Sequence, residues 1–295
     1  MVNEKILVIG LGEIGRTLFE IFKKSNNFDV YGLDINETRM NAIEQKQSMI
    51  PPKIDILHIC IPFKNQEKFV KIVNLYTKQY QPDLLIINST VLPGTTKKVH
   101  EGCNCLVAHS PVRGVHENLK HMIWELQRWS KYVGGVNLIS TESACRHFKK
   151  AGLKVKQLNS SLESELAKLF ETTYRAWMIA CFQEMHRISR SFEADFDDVV
   201  DFLEDTHLIR LDRPIMFPGF IGGHCLIPNT ELLLQLYNSE FLQLILKSNQ
   251  KRKVELQNKI VQKEADKIAN RVQLLEKKLE KSKNINDFQR NPITQ

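Results

Sequence analysis

Cys225 lies in the part of the chain with the densest set of residues that could do chemistry. Residues 217–228 read FPGFIGGHCLIP, a stretch with three glycines, two prolines, a histidine and a cysteine. Glycine permits close backbone approach and proline fixes φ, so the stretch predicts a rigid loop that holds one thiol in place. A thiolate is a nucleophile, whereas a packed cysteine is a small apolar side chain. The loop alone leaves both interpretations open.

A second group of residues, near the N-terminus, has the spacing of a phosphate-binding loop. A G-x-G-x-x-G sequence follows the apolar run at residues 5–9 and precedes a helix-like run. In this motif the first glycine makes a tight turn, the second lets a pyrophosphate approach, and the third lets the helix pack on the strand. The helix N-terminus then faces the phosphates. The residues predicted to bind a dinucleotide here are Gly10, Gly12, Glu13, Ile14 and Gly15.

Asp34 ends the second predicted strand, at residues 29–33. A carboxylate at this point accepts hydrogen bonds from a ribose 2′-hydroxyl and repels a 2′-phosphate. It therefore favours NAD over NADP as the cofactor. Two further residues are predicted to bind the cofactor, each placed just after a later strand: Pro62 and Thr90.

The elements that position these residues alternate between strands and helices. Buried-strand patterns recur at 55–61, 84–88 and 105–109, a helix pattern covers 66–80, and two edge strands are predicted at 131–135 and 154–158. Such alternation predicts an α/β fold with a Rossmann-type parallel sheet.

Two loops follow strand ends and are expected to border the nicotinamide end of the cofactor. Ligands of open α/β sheets bind beyond the carboxyl ends of the strands. Thr90 and Arg113 are the polar side chains of interest in these loops, whereas Ser89 and Thr95 are interpreted as helix caps.

The middle of the chain predicts one long helix over residues 161–190. Apolar residues recur at helical spacing, and no glycine or proline interrupts them. Ser161, Ser164 and Glu165 offer capping residues at its start. At 1.5 Å per residue the helix spans about 45 Å, enough to connect two domains or to form a dimer core. Lys168 lies on it and, without further context, is a solvated charge.

Composition narrows the classes of function. The formal charge of +7 is concentrated in residues 248–295, which carry 12 Lys/Arg against 6 Asp/Glu, so the remainder is nearly neutral. We therefore expect no nucleic acid among the partners. No apolar run reaches membrane-spanning length, so we expect no membrane span, and because a strand pattern begins near residue 5 we expect no signal peptide. Six cysteines without metal or disulfide spacing predict reduced thiols in a cytoplasmic protein. No metal site is predicted, because His109, His116 and His121 lack ligand spacing.

The region after Pro228 contains no glycine or proline until Pro292. An apolar helix is predicted at residues 230–247. Beyond it, positions 254 to 279 repeat apolar residues in steps of four and three, a heptad seam with one polar position. We expect this coiled-coil-like helix to pair with its copy or to lie on the protein. A single frayed helix with a basic, solvated face is the alternative.

Five motifs resemble, in content and order, the UDP-glucose/GDP-mannose dehydrogenase family. They are G-x-G-x-x-G at 10–15, STV with PGT at 89–95, SP at 110–111, ELAKL with ETTYRA at 165–176, and GGHCLIP at 222–228. The resemblance implies a Rossmann NAD domain, a helical dimerisation domain and a homodimer or higher homo-oligomer. It also implies a two-step, four-electron oxidation of a sugar C6 alcohol to an acid.

The resemblance also implies roles for individual residues. Cys225 would attack the aldehyde to form a thiohemiacetal, which is oxidised to a thioester and opened by water. Lys168 would stabilise the oxyanion and Thr90 would hold the water. His224 would support the thiolate or simply pack, and packing is favoured.

Three positions depart from the family pattern. Val112 replaces a glutamate, Thr172 replaces an asparagine four residues after Lys168, and Asn229 replaces an aspartate. Thr172 keeps a hydroxyl and is retained among the catalytic residues, but the groups that activate water are weakened. The family also carries a C-terminal nucleotide-sugar-binding domain, and we expect this chain to be a shortened member without it.

These patterns predict three segments: an NAD-binding domain at 1–157, a helical domain with the cysteine loop at 158–247, and a basic tail at 248–295. The favoured function is NAD-dependent oxidation of a CH–OH group in a sugar nucleotide. The alternatives are a two-electron dehydrogenase of another small alcohol or hydroxy acid and a non-catalytic NAD-binding oligomeric protein.

Overall fold

The chain forms two compact units, Met1–Leu169 and Phe170–Gln295. A computed structural model describes residues 3–114 and 118–290, so His116 lies outside the described residues. The boundary between the units falls inside one long helix, and each unit has a hydrophobic core of its own.

The first unit is a sheet of seven strands with helices between them. The strands are β1 (Glu4–Ile9), β2 (Phe28–Leu33), β3 (Ile56–Ile59), β4 (Leu84–Ile87), β5 (Leu106–His109), β6 (Lys131–Gly135) and β7 (Val155–Gln157). The helices are α1 (Glu13–Ser25), α2 (Glu37–Asn41), α3 (Gln66–Tyr80), α4 (Thr95–Glu101), α5 (Leu119–Arg128) and α6 (Leu138–Lys150), with a short 3₁₀ turn at Gln47–Met49.

The strand order is β2-β1-β3-β4-β5-β6-β7. Strands β1 to β5 are parallel, β6 runs antiparallel to β5, and β7 is parallel to β6. The predicted α/β class with a Rossmann-type sheet is confirmed. Strand β6, one of the two predicted edge strands, follows helix α5 and enters the sheet antiparallel to β5.

Alternating side chains of the strands build a separate core on each face of the sheet. Ile6 and Val8 of β1 belong to the core that contains α1 and α6 residues, whereas Leu7 and Ile9 belong to the core that contains α3 residues. Because both faces are covered, the strands are continuous apolar runs, which is why the sequence predicted them well.

The second unit is entirely helical in its described residues. Its helices are the remainder of α7 (Ser161–Ser191), then α8 (Phe196–Arg210), α9 (Leu226–Leu236), α10 (Glu240–Glu255) and α11 (Lys259–Arg290). Its core combines residues of all five helices with the segment before the cysteine loop. No helix within 3–114 and 118–290 has the length and apolar character needed to cross a membrane.

The start of α7 differs from the prediction. The Oγ of Ser160, rather than that of Ser161, accepts a hydrogen bond from the backbone N–H of Leu162 at 3.1 Å. Ser164 and Glu165, expected as capping residues of α7, are buried and make contacts with the sheet end instead.

The helix predicted at 230–247 is two helices, α9 and α10. Ser239 ends the interruption between them, because its Oγ accepts a hydrogen bond from the N–H of Leu242 at 3.3 Å and so caps α10. Helix α10 then continues through residue 247 to Glu255, so the boundary predicted between 247 and 248 lies inside a helix.

The heptad seam of the tail packs into its own unit. Val261, Ala265, Ile268, Val272 and Leu275 are all buried, and the last three belong to the core that α7 and α8 share. Of the two arrangements left open for this helix, the structure shows the one in which it lies on the protein. Val254 and Asn258, the first two positions of the predicted seam, are exposed and take no part.

Two basic residues of α11 pair with acidic residues of α8. Arg271 donates from Nε to Glu204 at 2.5 Å and also pairs with Asp197 and Asp201 of α8. Lys267 lies 2.8 Å from Asp197. The alternative of a frayed helix with a basic, solvated face is therefore wrong for this part of the tail.

Candidate functional site

The carboxyl ends of β1 and β3 form the switch point of the sheet. From β1 the chain moves to β2 on one side, and it then crosses to β3 on the other. In such sheets the crevice beyond these two strands is where ligands bind. The predicted glycine loop follows β1, and Pro62 lies shortly after β3.

The three glycines meet three different surroundings. Gly10 has a φ of +88°, and a Cβ there would lie 2.6 Å from the carbonyl oxygen of Cys60. A Cβ on Gly15 would lie 1.7 Å from the carbonyl oxygen of Gly10, so only glycine allows α1 this close to the turn. At Gly12 the nearest atom would be an Arg39 nitrogen at 3.9 Å, which leaves the loop open at the position where a pyrophosphate approaches.

Gly12 is the N-cap residue of α1, and as a glycine it has no side chain that could cap the helix. Glu13 is exposed and Ile14 is half-buried against the core of the α1 face. The first turn of α1 therefore begins directly at the open part of the loop, as anion binding at a helix N-terminus requires.

Asp34 is tied to the glycine loop. One carboxylate oxygen accepts a hydrogen bond from the N–H of Leu11 at 2.6 Å, and the other accepts from the N–H of Asn36 at 2.8 Å. Arg39 lies 3.3 Å from the first oxygen. The structure thus brings Asp34 together with the predicted diphosphate loop, and its carboxylate keeps acceptor capacity beyond these three contacts.

Ser89 joins the ends of β3 and β4 beside Pro62 and Thr90. Its Oγ donates to the carbonyl oxygen of Ile61 at 2.6 Å, so the interpretation of Ser89 as a helix cap was wrong. Thr95 also differs from expectation: its Oγ1 donates to the carbonyl of Leu92 at 2.6 Å, and Gly94 is the N-cap residue of α4. Thr90 is half-buried at the carboxyl end of β4.

Glu165 ties the start of α7 to the loop that carries Thr90. Its carboxylate accepts hydrogen bonds from the N–H groups of Gly94 at 2.6 Å and Thr96 at 2.8 Å, and from the Thr96 hydroxyl. Burial raises the pKa of Glu165, and these three hydrogen bonds oppose that rise. The carboxylate thereby caps α4, a role for which the sequence offered no local signal.

Lys168 lies one turn further along α7 and is half-buried in the first unit. Its charge acts on two buried groups at the end of β5 and the start of β6. Burial lowers the pKa of His109 to about 3, and that of Lys131 to about 7, with Lys168 contributing to both decreases. His109 is held by Ser164, whose Oγ is 2.7 Å from Nδ1.

A buried chain of polar side chains, not predicted from the sequence, runs through the sheet. The Nε2 atoms of His147 and His58 are 2.9 Å apart, and Nδ1 of His58 is 3.1 Å from Nδ2 of Asn88. Lys131 Nζ lies 3.5 Å from Oδ1 of Asn88 and donates to the carbonyl of Ser110 at 2.5 Å. Lys131 is therefore a buried hydrogen-bond donor to the backbone of the loop after β5.

Arg113 and Val112 of that loop face inward. Arg113 lies over the rings of Trp129 and Tyr132, at 5.3 and 5.0 Å, and donates to the carbonyl of Ser130 at 3.0 Å. Val112 is buried in the core that packs α1 and α6 against the sheet. The position at which the family pattern has a glutamate is thus filled here by an apolar core residue.

In the second unit, Cys225 is the N-cap residue of α9 and is half-buried. Its carbonyl accepts a hydrogen bond from the N–H of Asn229 at 3.0 Å. The N-terminus of a helix favours negative charge, so the location stabilises a thiolate. His224, expected to pack, is exposed.

Thr172 and Asn229, two of the three positions that depart from the family pattern, contact each other. Nδ2 of Asn229 donates to Oγ1 of Thr172 at 3.0 Å, and both side chains are buried. The two residues that differ from the family pattern therefore form a hydrogen bond with each other, and neither offers a carboxylate near α9.

The residues at the switch point fit a dinucleotide. Gly12 leaves the loop open, α1 begins at that opening, and Asp34 is fixed beside it. Gly10, Gly12, Glu13, Ile14 and Gly15 would hold the diphosphate, and Asp34 a ribose hydroxyl. Pro62 and Thr90 lie at the ends of the next two strands along the crevice.

Comparison with known proteins finds dehydrogenases among the relatives of this chain. Residues 162–251 match the central domain of the UDP-glucose/GDP-mannose dehydrogenase family. A UDP-N-acetyl-D-mannosamine dehydrogenase of Methanocaldococcus jannaschii is 27% identical over 263 residues, which cover 76% of this chain and 60% of the relative. A UDP-glucose 6-dehydrogenase of Campylobacter jejuni is 23% identical, over 84% of this chain and 72% of the relative.

Solved structures show the same fold. The UDP-D-ManNAc dehydrogenase of Pyrococcus horikoshii has a TM-score of 0.70 at 22% identity, covering 84% of this chain and 68% of that protein. A 3-hydroxyisobutyrate dehydrogenase of Mycobacterium tuberculosis has a TM-score of 0.61 at 13% identity, covering 87% and 95%. The chain spans about 60% of the length of several sequence relatives. In its motifs, its fold and these relatives, the chain resembles the UDP-glucose/GDP-mannose dehydrogenase family, whose central domain residues 162–251 match.

Proposed function

We propose that the protein is an NAD-dependent dehydrogenase that oxidises a primary alcohol of a UDP-linked sugar to the acid, using Cys225 as a nucleophile. The names of the matched relatives, which act on UDP-N-acetyl-D-mannosamine and UDP-glucose, support a UDP-sugar as the substrate class. Residues 1–157 would bind the cofactor, and residues 158–247 would supply the cysteine loop.

NAD bound at the glycine loop would supply the hydride acceptor for both oxidation steps. The protein's part in binding is carried by the open backbone at Gly12, the start of α1 and the carboxylate of Asp34. Asp34 would accept a hydrogen bond from a ribose hydroxyl and disfavour a 2′-phosphate, which supports NAD over NADP.

The chemistry at carbon would belong to Cys225, Lys168 and Thr90. The Cys225 thiolate adds to the aldehyde carbon, so that the carbon is retained as a thiohemiacetal and, after oxidation, as a thioester. The Lys168 ammonium stabilises the oxyanion that forms at each addition, and Thr90 positions water. Water opens the thioester, which releases the carboxylic acid and returns the thiol. Thr172 acts on this site through its hydrogen bond with Asn229.

The observation that carries the proposal is the position of Cys225. A half-buried thiol that begins a helix, at the end of a glycine-rich loop, suits a nucleophile and has no use in a simple two-electron dehydrogenase. The glycine loop alone would fit many NAD-binding proteins.

NADH formation on a panel of UDP-sugars, GDP-sugars and small hydroxy acids tests the proposal. We expect turnover with a UDP-sugar and two NADH for each substrate oxidised. Cys225→Ser should abolish the second oxidation, whereas Cys181→Ser, at another half-buried cysteine of the same unit, should leave it intact. Two NADH per substrate from the Cys225→Ser protein would rule out the nucleophile role.

A second candidate is a two-electron NAD-dependent dehydrogenase. The observation in its favour is that Val112 is buried in a core and that Asn229 is paired with Thr172, so neither position offers a carboxylate to activate water. One NADH per substrate, unaffected by Cys225→Ser, would establish this reaction. Tight NAD binding without turnover on any substrate would instead favour a non-catalytic NAD-binding protein.

We also propose that the protein assembles with a second copy through the outer face of α7. Apolar residues are exposed along this helix at near-heptad spacing, namely Phe170, Tyr174, Trp177 and Ile188, and the exposed Phe192 follows its last residue. The ring of Trp177 is 4.6 Å from that of Phe241 on α10, which widens the apolar surface. Such a row on a soluble helix suits a self-complementary interface. Light scattering should show a dimer or larger assembly that Trp177→Glu dissociates, and an unchanged mass would contradict the proposal.

A further inference from the structure

One side chain of α10, Asn249, makes two hydrogen bonds to the backbone of the loop that leads to Cys225. Oδ1 of Asn249 accepts a hydrogen bond from the N–H of Ile221 at 2.7 Å, and Nδ2 donates to the carbonyl of Ile221 at 3.1 Å. A single side chain thus satisfies both backbone groups of one loop residue, in the way that a neighbouring strand would. Asn249 is 5% exposed, so the two hydrogen bonds are not in competition with water.

A side chain of α7 holds the same loop two residues earlier. Nε2 of Gln183 donates to the carbonyl of Gly219 at 2.7 Å, and it lies 3.5 Å from Oδ1 of Asn249. Gln183 is fully buried. Two amide side chains from different helices therefore form one clamp, defined by Gln183 and Asn249, on the backbone of residues 219–221.

The clamp is itself fixed by its neighbours. Oε1 of Gln183 accepts a hydrogen bond from the hydroxyl of Ser248 at 2.7 Å, which orients the amide. Arg187 donates to the Ser248 hydroxyl at 3.0 Å, and Arg252 donates to the backbone carbonyl of Gln183 at 2.6 Å. The amide groups thus have one satisfied orientation, and the clamp is rigid before any ligand arrives.

The burial of the loop divides it into an anchored part and an outer part. Pro218, Gly219 and Ile221 are buried, whereas Gly222, Gly223 and His224 are exposed. Cys225 follows and begins α9. The clamp is the last buried attachment among the described contacts before the outer part, so it determines where the chain enters the turn that ends at the thiol.

We propose that Asn249 and Gln183 are positioning residues that hold the Cys225 thiol at the N-terminus of α9. This inference rests on the proposed role of Cys225 as a nucleophile. The three glycines between 219 and 223 have no side chains with which to anchor the loop, so the two amides hold its buried part through the backbone. Release of the clamp moves the thiol away from the helix N-terminus, and the thiolate loses that stabilisation.

Alkylation of Cys225 by iodoacetamide tests the inference without a substrate. The rate is followed across a pH series by mass spectrometry of the peptide that contains Cys225. The variants are Asn249→Ala, which removes both contacts to Ile221, and Gln183→Met, which keeps the length of the side chain and removes the donor to Gly219. Gln250→Ala changes an exposed residue next to Asn249 on the same helix and is the matched control.

We expect each clamp variant to lower the alkylation rate at neutral pH by about tenfold, the scale of one lost buried hydrogen bond. The pH of half-maximal alkylation should move upward, because the thiolate is then less stabilised. A merely structural role would lower the unfolding temperature and leave this pH unchanged. The Gln250→Ala protein should behave as the wild type.

An unchanged or faster alkylation rate in a folded clamp variant would overturn the inference, and circular dichroism establishes that the variant is folded. Should Asn249→Ala not fold, Gln183→Met decides the question, since it leaves both Asn249 contacts in place. The alkylation test does not depend on the proposed function. If the wild-type protein turns over no sugar nucleotide, its alkylation rate can still be compared with those of the clamp variants.

Discussion

Gly12 and Gly15 lie three residues apart at the start of α1, yet only one of them is required by the fold. Gly15 packs so closely on the turn that a Cβ would collide with the Gly10 carbonyl. Gly12 has a φ of −65°, which any residue adopts, and open space beside it. The motif spacing gives both glycines equal weight, whereas the structure separates the packing role of Gly15 from the proposed binding role of Gly12.

Alanine at each position should therefore give different defects. Gly12→Ala should leave the thermal unfolding temperature nearly unchanged and weaken NAD binding at least about tenfold, because a methyl group stands where the pyrophosphate approaches. Gly15→Ala should destabilise the protein by roughly 1–3 kcal/mol, the range for overpacking. Calorimetry and NAD titration measure the two effects. Equal losses of stability in both variants would contradict this division.

Lys131 makes the stability of the protein depend on pH above neutrality. Burial lowers its pKa from 10.5 to about 7 in the folded chain. Between these values the unfolded chain carries a proton that the folded chain has released, so raising the pH favours the folded state. From pH 7 to 8.5 the free energy of unfolding should rise relative to Lys131→Met by up to about 1.4 kcal/mol per pH unit. Parallel curves from urea unfolding would show that Lys131 keeps its proton.

Residues of the candidate site that belong to local motifs could be predicted from the sequence, whereas those with partners distant in sequence could not. The glycines, Asp34 and Cys225 were predicted because motif spacing is local. Asn249 meets Ile221 over 28 positions and Gln183 meets Gly219 over 36. An amide in a helix has no feature that tells which distant backbone it will contact, so these contacts required the structure.

At the scale of elements, α11 is a structural part of the helical unit. The sequence predicted its seam and left its partner open, since a heptad repeat describes a helix face and not what covers it. The covering residues belong to α7 and α8, and the acidic side chains of α8 pair with Arg271.

Truncation of the seam should thus destabilise the unit. Ile268 is 1% exposed, and Ile268→Ala should lower the free energy of unfolding by about 2–5 kcal/mol, the usual cost of such a cavity. Leu274→Ala, on the exposed face of the same helix, is the control and should cost less than about 1 kcal/mol. Chemical denaturation of both proteins gives the comparison; similar losses would mean that α11 is not part of the core.

The break between α9 and α10 shows where element prediction failed. No glycine or proline marks residues 237–239, so apolar content suggested one helix. Ser239 followed by Glu240 is a capping pattern, and the structure uses it. The strands of the sheet were easier to place, because each is a short apolar run between polar loops.

At the scale of the whole molecule, buried neutral histidines limit acid stability. Burial lowers the pKa of His109 and of His147 to about 3, and lowers that of His58 well below its ordinary value. Between about pH 6.5 and these lower values the unfolded chain binds protons that the folded chain refuses, so stability is lost as the pH falls.

Lowering the pH from 7.5 to 5.5 should cost roughly 1 kcal/mol for each of these histidines. Scanning calorimetry at the two pH values should show a clear fall in the unfolding temperature of the first unit. His109→Gln should reduce the difference between the two pH values, even though the variant is less stable at both. Identical unfolding temperatures at pH 7.5 and 5.5 would contradict the burial of neutral imidazoles.

The packing of α11 has a consequence for synthesis on the ribosome. The sheet of the first unit has all its strands once Gln157 has emerged, so this unit folds while the chain is still growing. The core that residues of α7 begin is completed by α11, whose Ile268 follows Ile179 by about ninety residues. Until then the apolar faces of α7 and α8 remain uncovered during translation. Nascent chains that stall before α11 would therefore be substrates for chaperones, although the sheet of their first unit is already complete.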